Sequence, residues 1–431
     1  MKKIIRTLTG LLFVITLILA QACSGNQTVN ESKETLIIDL EGNLGKGNIV
    51  DLSSVVSEIE YIPLQTSDSS LVGDNQEIYF ENGKFFLGNR NMTKGCQVFD
   101  IKGNHINLFD RSGRGPEEHP HPTYSNVLPV TGNIVITGND RCVKVYDPYG
   151  KFLNKFMIPF DSRFEVIPGI FVNDSTYAGV IFFSYRENPE YVAVLFTPGD
   201  TSFKFLFPAP YFQTKDPFDM DLHSVVPIGR STTDKFFTPI GFRTKIYRYK
   251  DQARFFFPFN DTIFSVSADK KIETPFVIRF GKTRNPGGTE GMANLNKFAT
   301  MIGNPLESDD FLFLNFGLND LAHEPYEKEM ILKSGRIHRY KVTDCYALLN
   351  KKTGHFTLLN QQEKGMPGLR EDILNGPPFW PKYVSSTGEL VSFCSAEELI
   401  RWAENHKVSP KLKKIIEKLD ENDNPVMILA K

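Results

Sequence analysis

Two stretches of the chain are copies of one another. "CQVFDIKGNHINLF" at 96–109 and "VKVYDPYGKFLNKF" at 143–156 align with an offset of 47: Phe99 matches Tyr146, Asp100 matches Asp147, Gly103 matches Gly150 and Ile106 matches Leu153. Each copy reads as two alternating strands around a tight turn, which Asp opens and Gly closes through a positive φ. Ahead of each lies a second hairpin, "EIYFENGKFFLGN" turning at Asn82-Gly83 and "VLPVTGNIVITGN" turning at Gly132-Asn133. Two hairpins make four antiparallel strands. One such sheet cannot bury both faces alone, so a unit recurring about every 40 to 50 residues predicts blades stacked around a ring.

Weaker echoes at 194–207, 261–281 and 345–360 carry the pattern through most of the chain. The 36 Phe and 15 Tyr suit it, because aromatic residues favour strands and fill the space between stacked sheets. Segments 283–310 and 319–336 lack alternation and read as insertions between strands, the first with room for one short helix. Roughly 340 residues from Val55 to Ser395, divided by the 47-residue period, give about seven units, and the insertions lower that to six. Near the end, Ser395 and Glu398 make a capping box ahead of a helix with Leu399, Trp402 and Ala403 on one face, and Ser409-Pro410 starts a second helix. The expected fold is all-β: a six-bladed propeller of four-stranded antiparallel blades over 35–431, with a helical segment at 396–419 and a closing strand at 424–431.

The ends carry an address. Lys2, Lys3 and Arg6 precede "LLFVITLILA", an apolar run too short to span a bilayer, so residues 1–22 read as an export signal. The run closes on "AQAC", which resembles the lipobox of bacterial lipoproteins, with Ala20 where leucine is usual. Cys23 then becomes the lipidated first residue, a membrane anchor in the outer envelope on its periplasmic or exterior side; the alternative is plain secretion with Cys23 incidental. Residues 23–34 are polar and small, as a flexible tether requires. A net charge of -2 without a basic run argues against nucleic acid as a partner. Cys96, Cys142, Cys345 and Cys394 are widely spaced with no CxxC and read as buried free thiols.

With the blades in view, "FDIKGNHINLFDRSGRGPEEHP…GNIVITGNDRCVKVYDPYGKFLNKF" resembles NHL-type propeller sequence. More closely, the chain resembles the six-bladed β-propeller lipoproteins of Bacteroidetes (NHL/TolB-like), through "EIEYIPLQT", "GRGPEE", "NDTIFSV" with "FVIRFGK", "GPPFWPKYV" and "LDENDNPVMILAK". The resemblance implies a fold and an envelope address and is silent on chemistry. Glu117 stands where that pattern has glycine, which argues against a positive-φ turn at that position.

The densest cluster of functional side chains is "LFDRSGRGPEEHPHP" at 108–122. A phosphate cradle needs glycines leading into a helix, and strands flank this run instead. Its glycines and prolines fit the crossing from an outer strand to the innermost strand of the next blade, a path that brings Arg111, Arg114, Glu118, His119 and His121 to the channel mouth as a ligand-binding loop. Arg111 and Arg114 otherwise pair with Glu117 and Glu118 as surface ion pairs. Trp380, in a proline-rich loop, either stacks on a sugar ring or plugs a gap between blades. Nucleophile elbow, HExxH, EF-hand and dinucleotide motifs are missing, and no cofactor or metal site is expected. The function expected is a binding scaffold for a small molecule, glycan or protein. The alternative is a lyase or hydrolase with a metal held near the axis by histidines drawn from His105, His119, His121, His223, His323, His338 and His355.

Overall fold

The computed structural model describes residues 34–73, 77–88, 95–119, 122–138, 142–157, 164–183, 191–197, 203–208, 244–257, 260–285, 294–332 and 335–431. The signal, Cys23 and the tether up to residue 33 lie outside the described residues, as do His121 and His223.

Strands β1 (Leu36–Asp39) and β2 (Ile59–Pro63) precede the first blade, which is β3 (Glu77–Glu81), β4 (Lys84–Gly88), β5 (Cys96–Asp100) and β6 (His105–Phe109). The second is β7 (Pro122–Val127), β8 (Ile134–Gly138), β9 (Cys142–Tyr146) and β10 (Phe152–Met157), and the third β11 (Phe164–Asn173), β12 (Thr176–Phe183), β13 (Tyr191–Phe196) and β14 (Phe203–Pro208). The fourth, β15 (Lys245–Tyr249), β16 (Gln252–Phe256), β17 (Thr262–Ser267) and β18 (Ile272–Arg279), gains a fifth member because β1 pairs in parallel with β18. The fifth blade has its innermost strand broken into β19 (Thr300–Met301) and β20 (Leu306–Glu307), both paired with β21 (Phe311–Gly317). An insertion, the hairpin β22 (Tyr326–Ile331) and β23 (Ile337–Val342), follows before β24 (Asp344–Asn350) and β25 (Phe356–Leu358) complete that blade. The sixth is β26 (Tyr383–Val384), β27 (Leu390–Cys394) and β28 (Val426–Ala430), with β2 as its outer strand. The expected six-bladed, mainly four-stranded propeller is the fold.

The repeat is visible atom by atom. Asp100 Oδ1 accepts from the backbone N–H of Lys102 at 2.8 Å and of Asn104 at 2.9 Å, and Asp147 Oδ1 accepts from Tyr149 at 3.0 Å and Lys151 at 2.8 Å. Gly103 and Gly150 close the two turns at φ 84° and 88°, a conformation L side chains resist. Glu117 is not among the residues with positive φ.

Six hydrophobic clusters occupy the six interfaces between neighbouring blades. Ile78, Phe80 and Phe85 of blade one pack on Val391, Met427 and Leu429 of blade six, while the adjacent Phe86, with Val98 and Phe109, packs on Val127, Ile134 and Tyr146 of blade two. The other interfaces repeat this scheme. Inner blades are therefore apolar on both faces, as buried sheets are. Cys96, Cys142, Cys345 and Cys394 are in no disulfide among the described residues and are buried in this packing.

Two sequence-derived assignments change. The 283–310 stretch is not wholly an insertion, since its last third supplies β19 and β20; a strand interrupted at 302–305 shows no alternation. The 319–336 segment is an insertion, but it contains β22 and half of a hairpin whose faces are nearly all exposed, so no apolar period marks it. The helices Ala396–Asn405 and Pro410–Ile416 are capped by Ser395 and Ser409 as expected, and their Leu399 and Leu412 join the core of the last interface. No helix among the described residues is long and apolar enough to cross a membrane.

Strand β28 is buried along its whole length between β27 and β2, so the ring closes by pairing the chain's last strand with one of its first. A chain truncated before Asn424 is expected to show no cooperative thermal transition by circular dichroism; a melting temperature within a few degrees of the full chain would show that the strand does not hold the ring. Burial pushes the Asp100 carboxyl up, but the hydrogen bonds from Asn104 and Lys102 outweigh it and hold the group below its usual range. Asp100 thus stabilises the fold above the unfolded value of about 3.9 and loses that contribution as pH falls through the folded value. In urea titrations, the advantage of the wild type over Asp100→Asn is expected to shrink below about pH 4; an advantage constant from pH 7 to 3 would contradict this.

Candidate functional site

The first strands of all six blades surround one cavity of about 490 Å³. Its wall runs through Glu77–Tyr79 of β3, Asn126 and Val127 of β7, Ile170 and Phe171 of β11, Ile246–Arg248 of β15, Ile302–Asn304 with Leu306 and Glu307 of the broken strand, and Tyr383 and Val384 of β26. This is the axis of the propeller. Arg248 reaches Glu81, the last residue of β3, at 2.5 Å, and the same carboxylate accepts from Tyr383 Oη at 2.6 Å and from the Ser386 N–H. One buried glutamate therefore ties blades one, four and six together where β3 ends. The side chains of Glu81 and Arg248 are 0% and 14% exposed, so removing either partner strands a charge in low dielectric. A second buried acid, Glu307, accepts from Arg254 Nε at 2.9 Å and Nη2 at 3.1 Å and from Lys351 Nζ at 2.7 Å. Burial and the nearby Glu307 push the Tyr247 hydroxyl well above the ordinary phenol range.

Trp380 joins this wall because of how the preceding loop is built. Leu369 and Phe379 exchange backbone hydrogen bonds at 2.8 and 2.9 Å, making a closed loop around Glu371. That carboxylate accepts from the N–H groups of Ile373 at 2.9 Å, Leu374 at 2.7 Å and Gly376, and from Tyr61 Oη at 3.2 Å. Gly376 is required, since a Cβ there would sit 2.0 Å from Tyr61 Oη. The loop delivers Trp380 face to face onto Tyr346, with centroids 4.3 Å apart and planes 3° apart, and edge-on to Phe313. The result is a flat aromatic wall, half-buried, along one side of the cavity.

Fold and cavity define a six-bladed β-propeller with an axial pocket. The family described as "Domain of unknown function (DUF4934)" matches residues 35–431, and the chain belongs to it. Among solved structures, it is similar to a protein of Bacteroides fragilis named only as exported, at 16% identity and a TM-score of 0.55, over 92% of this chain and 99% of that one. A member of the duf4221 family from Bacteroides vulgatus is 15% identical with a TM-score of 0.47, over 89% and 98% of the two chains. No curated protein matches the chain.

Of the described residues singled out in the sequence, only Trp380 lines the cavity. The crossing loop runs from β6 to β7 as expected but settles on the second blade. Arg111 does not pair with a glutamate; it donates through Nε to the carbonyl of Gly150 at 2.8 Å, in the β9–β10 turn. Glu118 accepts from its own loop, at Gly115 N, 2.8 Å away, while Lys144 Nζ donates to its carbonyl and Tyr146 Oη to that of Glu117. His119 is 2% exposed and packs edge-on against Tyr146 with centroids 5.6 Å apart, so it is a core side chain and not a group displayed at the mouth. Arg114 is exposed. The other described histidines also lie off the cavity: His105 meets Gln97, His323 meets Asn360, His338 is on the inserted hairpin, His355 is exposed in the turn between β24 and β25, and His406 stacks on Trp402. Among the described residues, no three His, Cys, Asp or Glu side chains cluster to hold a metal. His119→Ala is expected to cost about 1–3 kcal/mol in denaturant titrations and Arg114→Ala less than about 0.5 kcal/mol. Equal, negligible effects would place His119 at the surface.

Proposed function

We propose that the chain is an envelope lipoprotein that binds a small molecule in the axial cavity of its propeller without transforming it. The observation that carries the binding half is the cavity itself: a pocket of ligand size, walled by all six inner strands, in which aromatic and aliphatic side chains alternate with fixed polar groups over nearly equal shares of the surface. Anchoring through Cys23 rests on the signal-like start and the "AQAC" boundary. An envelope address is also in keeping with the exported description of the Bacteroides fragilis protein that shares the fold.

Two measurements test the proposal. Radiolabelled palmitate is expected on the wild type expressed in a bacterial host and not on Cys23→Ala; label on both removes the anchor. For binding, thermal shift is run with neutral, cationic and anionic small molecules on wild type and on Asn304→Trp, which fills the cavity from the exposed turn in the broken strand. At least one compound is expected to stabilise the wild type, by about 2.7 kcal/mol at a hundredfold excess over Kd, and to leave Asn304→Trp unmoved. No saturable shift, or the same shift in both proteins, overturns the binding half.

A further inference from the structure

The hairpin inserted in blade five holds apolar side chains out in solvent. It is rooted by Tyr326, which is buried, whereas every described residue from Glu327 to Lys341 is exposed. Residues paired across an antiparallel ladder share a face, so the register gives both faces. One carries Glu327 opposite Lys341, Glu329 opposite Arg339 and Ile331 opposite Ile337; the other carries Lys328 opposite Tyr340 and Met330 opposite His338. Near the root the first face is laced by charge, with Arg339 Nε donating to Glu329 at 2.6 Å. Towards the turn both faces become apolar. The turn is closed by the Leu332 N–H on the Arg336 carbonyl at 2.9 Å and the Gly335 N–H on that of Leu332 at 2.8 Å. Met330, Ile331, Leu332 and Ile337 thus form a knob, in which Ile331 is 75% and Ile337 59% exposed.

The shape of this knob selects its occupant. A protein partner covers one face of a hairpin and leaves the other wet, whereas a bilayer surrounds an inserted tip on all sides. Behind the knob stands a collar suited to lipid headgroups. Tyr340 is stacked on His338 with planes 16° apart, and Lys328, Arg336 and Lys341 are long enough to lay their stems on apolar surface and keep their charges in water. The described part of the hairpin sets four basic residues, Lys328, Arg336, Arg339 and Lys341, against Glu327 and Glu329, although the whole chain has a net charge of -2. A locally positive projection on a slightly negative protein complements an anionic lipid surface.

We infer that the β22–β23 hairpin inserts its apolar tip into an anionic phospholipid bilayer, a membrane contact separate from any acyl chain at Cys23. Gly317, after which the insertion leaves the ring, is paired with Thr300 at the start of the broken inner strand. The hairpin therefore belongs to the end of the propeller where the inner strands begin, the end at which Glu77 opens β3 and Lys382 precedes β26. Docking turns that end of the axial cavity to the lipid. An anchor at Cys23 permits this orientation, since the chain between it and Leu36 spans up to about 40 Å when extended.

Vesicle sedimentation tests the inference on the mature chain carrying Cys23→Ala, so that no acyl chain contributes. This parent protein is expected to bind vesicles of equimolar phosphatidylcholine and phosphatidylglycerol at least about tenfold better than phosphatidylcholine alone, and less well as salt rises. Ile331→Asp with Ile337→Asp, and separately Arg336→Glu with Lys341→Glu, are each expected to lower that binding about tenfold or more. All four positions are exposed, so melting temperatures within a few degrees of the parent separate lost binding from lost fold. Ile331→Trp keeps an apolar tip; it is expected to bind as the parent does and to shift its emission to the blue on adding anionic vesicles, a shift the parent lacks. The inference is overturned if the parent does not bind anionic vesicles, if the aspartate pair binds them equally well, or if the Ile331→Trp emission does not move. Gel filtration reads the rival occupant: a dimer that the aspartate pair dissolves, without vesicle binding, makes the hairpin an interface between copies and overturns the membrane contact. The palmitate and cavity experiments succeed or fail apart from these.

Discussion

Everything in this molecule depends on the ladder between β2 and β28. A propeller has no face of its own to expose: each blade is apolar on both sides and is stable only between two neighbours. An open arc would leave the flanks of blades one and six in water. Pairing Ile59–Pro63 with Val426–Ala430 converts the arc into a ring, using residues more than 350 positions apart. The long sequence separation makes that contact expensive in chain entropy. Burial of the entire strand, together with the helices that pack Leu399 and Leu412 onto the same sheet, offsets that cost.

Ring closure also creates the cavity. Because inner strands from all blades converge on one axis, single residues far apart in the chain become neighbours: Glu81, Arg248 and Tyr383 share one carboxylate although they belong to blades one, four and six. Such a network fixes the register of three blades at once. Its charges are removed from water and matched within the protein, so it acts as a structural tie whose cost is borne by good geometry.

The same convergence explains what the sequence disclosed and what it withheld. Asp100 and Asp147 with their glycines announced the hairpins, because turn chemistry is local and repeats with the fold. The capping serines, Ser395 and Ser409, were equally legible. The crossing loop drew attention through its density of charged and imidazole side chains, but those groups serve their own backbone: Asp110 caps Ser112, Glu118 caps Gly115, and His119 fills space beside Tyr146. Trp380 was conspicuous as one of two tryptophans in a proline-rich run, and the structure brings it to the cavity. Tyr247 and Arg248 had no signature, since each is one residue in an ordinary strand and acquires meaning only across the axis. The inserted hairpin was unreadable for the opposite reason: with hardly any face buried, β22 and β23 lack the apolar period by which strands are found.

The short strand β1 decides how the molecule bears load. It lies along the outer edge of blade four, parallel to β18, and Asp39 at its end is paired with Arg279 at 3.3 Å. Tension applied to the chain ahead of Leu36 enters here, along a ladder of parallel hydrogen bonds that resists together in shear. The closing strand β2 comes only afterwards in the chain, beyond the bridges of Asn48 to Leu359 and Asp51 to Arg370. A pull from the N-terminal side is thus taken up by blades four and five before it reaches the seam, which works as a strain relief for the joint on which the ring depends.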